Sequence, residues 1–286
     1  MRGNIGYLLL SVSLSAGRNI TSKKTAIYSN EKSSFFLSHS ILFLSAALLL
    51  IGFNNNLTLS VSKQTIIYGI IYGILLILSQ WMFTLALKMG STSICSVIYS
   101  LGFLLPTLSG TLFWNEEFTF THFVGLVIAL ATILLTTKRE ENSKQGQKTF
   151  VPFILVAMLA SGGLGIMQKV QQSSNAANEK SMFLIVAFVI AFLSSMLAFL
   201  FSEKTVKMCT EKILFPAITG VCFGGANLCN TTLAGQMKSA VFFPVQNIST
   251  ILLSTILGIV IFREKLTWKT KTIILLGITV VLIFSI

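Results

Sequence analysis

The chain has 286 residues, of which 53% are hydrophobic and only 10% are charged, with a mean hydropathy of +0.82. An average soluble domain carries about 25% charged residues, so this composition excludes a soluble protein and predicts an integral membrane protein. The formal net charge is +12, but Lys and Arg lie at predicted helix ends and form no basic tract interleaved with aromatic residues. Anchoring in lipid headgroups explains these charges, and we predict no nucleic-acid partner.

Ten apolar runs separated by polar breaks are predicted to be membrane-spanning helices. About 20 apolar residues cross the hydrocarbon core, where every backbone amide must be satisfied within the protein. A β-barrel is excluded because its strands would alternate polar and apolar residues, whereas Met182–Phe201 is apolar on all sides. The sequence therefore predicts an all-α fold with ten transmembrane helices, at about 3–20, 35–53, 65–87, 92–113, 119–137, 150–168, 181–201, 213–233, 239–261 and 268–286.

One stretch of the chain occurs twice. Residues 84–119 and 232–267 align without a gap at a shift of 148 residues, and twelve positions then match, including Gly110/Gly258 and Glu116/Glu264. We predict two five-helix repeats, 1–137 and 150–286, joined by a polar linker at 138–149. Because five is odd, the second repeat must enter the membrane from the opposite side. The two repeats are therefore predicted to be inverted.

Uncharged polar side chains concentrate in the third, fourth, eighth and ninth predicted helices. In the eighth, Asn227 and Thr231 follow Gly220 and Gly224 at steps that place all four residues on one face. Matched polar positions in two inverted copies are expected of a central cavity, although amide and glycine faces also serve helix packing alone. The predicted solute-binding residues are Gln80, Trp81, Thr84, Tyr99, Asn227, Asn230, Thr231, Gln246 and Asn247.

Three basic residues near helix ends are candidate contacts for an anionic solute. They are Arg18, Lys23 and Lys169, and Lys23 aligns with Lys169 at a shift of 146 residues. The competing interpretation is that these side chains extend to the lipid headgroups, which is the usual behaviour of Arg and Lys near a helix end.

A short turn precedes the last helix of each repeat. It reads Phe113-Trp114-Asn115-Glu116-Glu117-Phe118-Thr119 in the first repeat and Ile261-Phe262-Arg263-Glu264-Lys265-Leu266-Thr267 in the second. With these turns and a glycine in each last helix, Gly125 and Gly277, the chain resembles the EamA type of the drug/metabolite transporter superfamily. The resemblance implies a multi-pass permease of the cell membrane, which carries a small organic metabolite or drug-like solute by alternating access.

Glu116 and Glu264 have two interpretations. A carboxylate at the membrane edge can accept a proton for coupling, whereas one near a first helical turn stabilises the helix dipole and the free amides. Their position favours the second interpretation, with Thr119 and Thr267 as caps. His39 and His122 are not assigned to proton coupling, because they lie near helix ends without a carboxylate within helical reach.

Other classes of function have less support in the sequence. An intramembrane enzyme would need a nucleophile with a base, or a metal-binding set, at membrane depth, and neither motif is present. The four cysteines form no C-x-x-C pair, and we predict no metal, no disulfide and no cofactor. A non-transporting scaffold or accessory subunit is the alternative function. The predicted partners are a small-molecule substrate and the lipid bilayer, and a homodimer stays open.

The membrane orientation is left open by two conflicting arguments. Five of the 21 Lys and Arg residues lie on the side of the termini and sixteen on the other, so the positive-inside rule places the termini outside. The family resemblance places the termini in the cytoplasm.

Overall fold

The protein is described by a computed structural model that covers residues 2–28, 32–53, 61–89, 92–135, 150–202, 209–262 and 268–285. These residues form α-helices, short 3₁₀ turns and brief connections, and no strand occurs among them, which confirms the all-helical prediction. The α-helices are α1 Arg2–Tyr28, α2 Lys32–Phe53, α3 Lys63–Met89, α4 Thr92–Ser100, α5 Leu104–Trp114, α6 Phe120–Leu135, α7 Val151–Ser173, α8 Lys180–Leu200, α9 Thr210–Gln236, α10 Ser239–Phe262 and α11 Trp268–Ser285.

Seven described segments are long and apolar enough to cross a membrane. They are Ser33–Phe53, Lys63–Leu87, Cys95–Trp114, Val151–Ser173, Ala177–Leu200, Thr210–Gln236 and Ser239–Ile261. Two shorter apolar helices, Phe120–Leu135 and Lys271–Phe284, coincide with predicted spans, whereas α1 is not among the apolar segments. The full set of ten spans therefore stays a prediction.

The span predicted at 92–113 corresponds to one helical segment, Cys95–Trp114, in which a 3₁₀ turn interrupts the α-helical hydrogen-bond pattern. A 3₁₀ turn at Leu101–Phe103 separates α4 from α5, and the Leu104 amide donates to the Leu101 carbonyl, three residues back. Pro106 follows this turn, and it has no N–H to donate to the Gly102 carbonyl, which its ring also crowds. We refer to residues 100–104 as the helix break.

The chain folds into two compact units that each combine segments distant in sequence. Unit 1 contains Met1–Ile77 and Val170–Gly235, and unit 2 contains Leu78–Lys169 and Gln236–Ile286. Both units therefore contain parts of both predicted repeats. The repeat boundaries stay a prediction, and the predicted linker 138–149 lies outside the described residues.

In unit 1, aromatic side chains and small residues form the interior. Phe43 of α2, Phe188 of α8 and Phe223 of α9 are buried, with ring centroids 5.6–6.5 Å apart. Gly220 of α9 lies directly against the Leu42 carbonyl of α2, where a Cβ atom would collide. The small residue lets the two helices approach closely, as is common in membrane helix pairs.

In unit 2, α7 packs against the helix break through glycine. A Cβ atom at Gly162 would lie 2.6 Å from the Gly102 carbonyl oxygen and 2.7 Å from Leu105 Cβ. A Cβ atom at Gly102 would in turn lie 2.8 Å from the Met158 carbonyl oxygen. The break and α7 are thus in backbone contact, which only glycine at both positions permits.

Candidate functional site

The predicted polar residues form one group in each unit. In unit 1, the two asparagines are held by short hydrogen bonds to neighbouring residues. Tyr72 donates its hydroxyl to Asn227 Oδ1 at 2.6 Å, and Asn227 Nδ2 donates to the Phe223 carbonyl at 2.8 Å. Tyr72 is 1% exposed and Asn227 is 6% exposed. Ser11 of α1 donates to Asn230 Oδ1. We call Ser11, Tyr72, Asn227 and Asn230 the amide cluster.

Thr231 lies beside the amide cluster in sequence and differs from it in bonding. Its side chain is fully buried, and Oγ1 has no hydrogen-bond partner in the part of the chain that the structure describes. Buried hydroxyls usually have a partner, and Thr231 Oγ1 is an exception among the described residues.

The group in unit 2 surrounds the helix break. Tyr99 and Ser79 share a hydrogen bond of 2.8 Å between their hydroxyls, and the Tyr99 ring lies 4.5 Å from that of Phe83. Asn247 of α10 donates from Nδ2 to the Ser100 carbonyl at 3.4 Å, and both residues are half-buried. This contact is longer than the usual range of about 2.7–3.2 Å. We call Ser79, Tyr99, Ser100 and Asn247 the helix-break cluster.

The remaining predicted residues of unit 2 lie on the same helices as this cluster. Gln80, Trp81 and Thr84 are half-buried on α3, and Thr84 donates to the Gln80 carbonyl of its own helix at 2.9 Å. Gln246 is buried on α10, next to Asn247 in the chain. Their contribution to solute binding stays a prediction.

The three predicted anion contacts lie in different surroundings. The Arg18 guanidinium lies 4.3 Å from the centre of the Phe223 ring, a cation–π arrangement inside unit 1. Lys23 is exposed on α1. Lys169 is buried in unit 2, where its ammonium lies 2.7 Å from Glu116 Oε1 and donates to the Met237 carbonyl at 3.3 Å. The charge of Lys169 is therefore matched by a carboxylate.

Glu116 does cap a helix, but not the one that follows it. Its Oε2 accepts the Ser239 backbone N–H at 2.6 Å, and Ser239 is the first residue of α10. The carboxylate is directed there by Asn115, whose φ of 51° is left-handed. The start of α6 is instead capped by Thr119, whose Oγ1 accepts the His122 N–H at 3.4 Å. Glu264 and Thr267 lie outside the described residues.

Sequence reasoning missed Tyr72 and Ser79 as partners of the predicted residues. A signal for them exists in α3, where Thr65, Tyr72, Ser79 and Ala86 recur at every seventh position, and all four are buried. A spacing of seven residues keeps side chains on one helical face. Polar residues within such a stripe mark the buried hydrogen bonds of the helix.

The apolar helices of the described residues define the class of integral membrane proteins. Within that class, the chain belongs to the family described as "Sugar transport protein", whose model matches residues 5–286. The resemblance to drug/metabolite transporters is confirmed at this level, since the family is a membrane transporter family of that general type, while the EamA type itself stays a prediction.

Solved structures share the fold of this chain. One crystal structure superposes with a TM-score of 0.80 over 99% of this chain and 96% of its own, at 15% sequence identity. At this identity the similarity concerns the fold alone. Comparison with the sequences of curated proteins gave no match.

Proposed function

We propose that this protein is a secondary transporter of a neutral polyhydroxylated solute, a sugar or a polyol, which it moves across the cell membrane by alternating access. The family match over residues 5–286 is the observation that carries the proposal. The proposal includes the ten spans and two inverted five-helix repeats of the EamA type, an arrangement typical of alternating-access carriers.

The chemistry of the helix-break cluster supports a sugar as the solute. Hydroxyl and amide side chains can both donate and accept hydrogen bonds, which matches the hydroxyl groups of a sugar. Tyr99 and Phe83 place aromatic rings beside these polar groups, and such rings can pack against the apolar faces of a sugar ring.

Asn247 is the residue best suited to exchange a protein contact for a solute contact. Its bond to the Ser100 carbonyl is 3.4 Å long and the side chain is half-buried, so little hydrogen-bond energy opposes the exchange. Gln80, Trp81, Thr84, Tyr99 and Gln246 are proposed to line the same pathway. In unit 1, Thr231 is the predicted contact with the most support, because its buried hydroxyl has no hydrogen-bond partner among the described residues.

A neutral solute fits the surroundings of Lys169 better than an anionic one. Lys169 is the buried cation among the three predicted anion contacts, and its ammonium is already paired with Glu116 at 2.7 Å. A phosphorylated sugar would have to compete with this carboxylate. We therefore propose that phosphorylated sugars are excluded.

Counterflow in proteoliposomes tests the proposed function. Purified protein is reconstituted in vesicles that are preloaded with unlabelled hexoses, pentoses, polyols, amino acids or sugar phosphates, and uptake of the matching labelled solute is followed. We expect counterflow with a sugar or polyol and none with the sugar phosphates. Counterflow restricted to amino acids would contradict the proposed substrate class, and inactivity with every pool would favour the scaffold alternative.

A further inference from the structure

A single carboxylate connects three helix ends in unit 2. Glu116 follows α5, its partner Lys169 lies near the end of α7, and its partner Ser239 begins α10. The carboxylate binds the Lys169 ammonium at 2.7 Å, the Ser239 N–H at 2.6 Å and the Ser239 hydroxyl at 3.4 Å. Lys169 also donates to the Met237 carbonyl. We call Glu116, Lys169, Met237 and Ser239 the Glu116 latch.

The backbone is shaped to hold this carboxylate in place. Left-handed Asn115 ends α5, and the Glu116 N–H donates to the Gly110 carbonyl at 3.1 Å. Gly110 leaves the space that the carboxylate occupies, because a Cβ atom there would collide with Glu116 Oε2. The arrangement is therefore specific to Glu116 and does not extend to the neighbouring Glu117.

Both charges of the latch are removed from solvent. The Glu116 and Lys169 side chains are 11% and 9% exposed, whereas the neighbouring pair of Glu117 and Lys238 is 80% and 52% exposed. A buried ion pair often adds no net stability over apolar side chains of similar volume, because both charges lose their hydration. Stability alone therefore does not account for the pair.

When two helix ends separate, water can replace the polar contacts between them, whereas it cannot replace apolar packing. In the latch, the contacts from α7 and α10 to the α5–α6 connection converge on one carboxylate, so loss of that group frees all of these ends together. Alternating access requires such ends to separate and to close again once in each cycle.

We propose that the Glu116 latch holds this end of unit 2 closed in one state of the transport cycle and opens in another. The proposal rests on the proposed transport function. Glu116 and Lys169 then act as gating residues, which determine how often the end opens and do not contact the solute.

Thiol labelling tests whether the latch controls opening. In a background without the native cysteines Cys95, Cys209, Cys222 and Cys229, Ala240→Cys places a thiol at a fully buried position next to Ser239. Glu116→Gln and Lys169→Met should each accelerate labelling of this thiol about tenfold or more, because each leaves the partner charge buried and unpaired. The matched control is Glu117→Gln, which neutralises the exposed neighbouring carboxylate and should leave the labelling rate within about twofold. Equal rates in Glu116→Gln and Glu117→Gln would overturn the proposal.

Reversible cross-linking tests opening with the latch itself intact. Glu117→Cys and Lys238→Cys lie at exposed positions, where the native side chains approach to 3.1 Å, and a short bifunctional thiosulfonate reagent can bridge them. We expect the bridge to abolish sugar counterflow and a reductant to restore it, while a monofunctional reagent has little effect. Counterflow that continues at an unchanged rate in the bridged protein would show that this end does not open. If the unbridged protein carries no sugar at all, the proposed function has failed, and the labelling of Ala240→Cys still decides whether the latch opens.

Discussion

The amide cluster of unit 1 and the helix-break cluster of unit 2 contain the same kinds of residue in different bonding states. In the first, Asn227 binds Tyr72 at 2.6 Å and the Phe223 carbonyl at 2.8 Å, so both groups of its amide are engaged. In the second, Asn247 makes one contact of 3.4 Å to a backbone carbonyl and is half-buried. The comparison teaches that an amide on a transporter helix is a candidate solute contact only where its bonds within the protein are long or incomplete.

The difference follows from the helices that carry the partners. Tyr72 lies in an unbroken part of α3 on a buried face, so its hydroxyl is held against α9. Ser100 lies at the end of α4, just before the 3₁₀ turn in which the Leu104 amide donates to the Leu101 carbonyl, so the Ser100 carbonyl can take an additional donor.

The largest expected effect comes from disturbing the helix break itself. Gly162→Ala places a methyl group 2.6 Å from the Gly102 carbonyl oxygen, so α7 must move away from the break. We expect the free energy of unfolding to fall by about 1–3 kcal/mol, as in other overpacked interiors, and counterflow to fall with it. Thermal unfolding in detergent measures the change. Gly52→Ala is the control, because nothing lies within 4 Å of the added methyl group. Equal melting temperatures for the two variants would contradict the close approach of α7.

Asn227→Ala should have the next largest effect, and mainly on stability. It leaves the buried Tyr72 hydroxyl without its acceptor, which we expect to lower the free energy of unfolding by about 1–2 kcal/mol. A double-mutant cycle with Tyr72→Phe isolates the pair, since the double variant should be little less stable than Asn227→Ala alone. Fully additive losses would mean that the two side chains do not interact. A variant with normal stability and no transport would instead place Asn227 in the solute pathway.

Asn247→Ala should change transport more than stability. Its long bond to Ser100 predicts a change in the free energy of unfolding within about 0.5 kcal/mol. Loss of one hydrogen bond to the solute, worth about 1 kcal/mol, should raise the KM for counterflow about fivefold. Initial rates over a range of sugar concentrations measure this. The comparison between the clusters fails if Asn247→Ala melts as early as Asn227→Ala and leaves the KM unchanged.

Tyr99→Phe is expected to have the smallest effect of the four. It removes the 2.8 Å bond to Ser79, and a hydrogen bond between membrane helices contributes about 0.6 kcal/mol on average. Ser79→Ala should lower the melting temperature to a similar extent, and the double variant should add little. If Tyr99 also contacts the solute, Tyr99→Phe will raise the KM while Ser79→Ala does not.

Much of the helical architecture could be predicted from the sequence because it depends on local properties. The run predicted at 181–201 is α8 at 180–200, since no proline or polar break interrupts its apolar residues. The run predicted at 92–113 corresponds to the helical segment Cys95–Trp114, since proline is often tolerated inside membrane helices. Pro216 and Pro244 do lie within continuous helices, whereas Pro106 accompanies a 3₁₀ turn.

The site was less predictable than the helices. Asn227 and Asn247 were identified from their polarity and spacing, but the two residues differ in their partners, and a helical repeat does not reveal partners on another helix. Tyr72 is 155 residues from Asn227 in the chain. Only the packed structure therefore distinguishes an amide with short hydrogen bonds within the protein, such as Asn227, from one with a long bond, such as Asn247.

The sequence by itself determined that this protein is helical and built for a membrane, because hydropathy and backbone hydrogen bonding act over one helix at a time. It also predicted that Glu116 stabilises the start of the helix that follows it, since carboxylates stabilise free amides there. Only the tertiary structure showed that the helix it caps is α10. Glu116 binds Ser239 of α10, 123 residues away in the chain, and pairs with Lys169. The packing of α5, α7 and α10 brings these residues together, and their positions in the sequence do not reveal it.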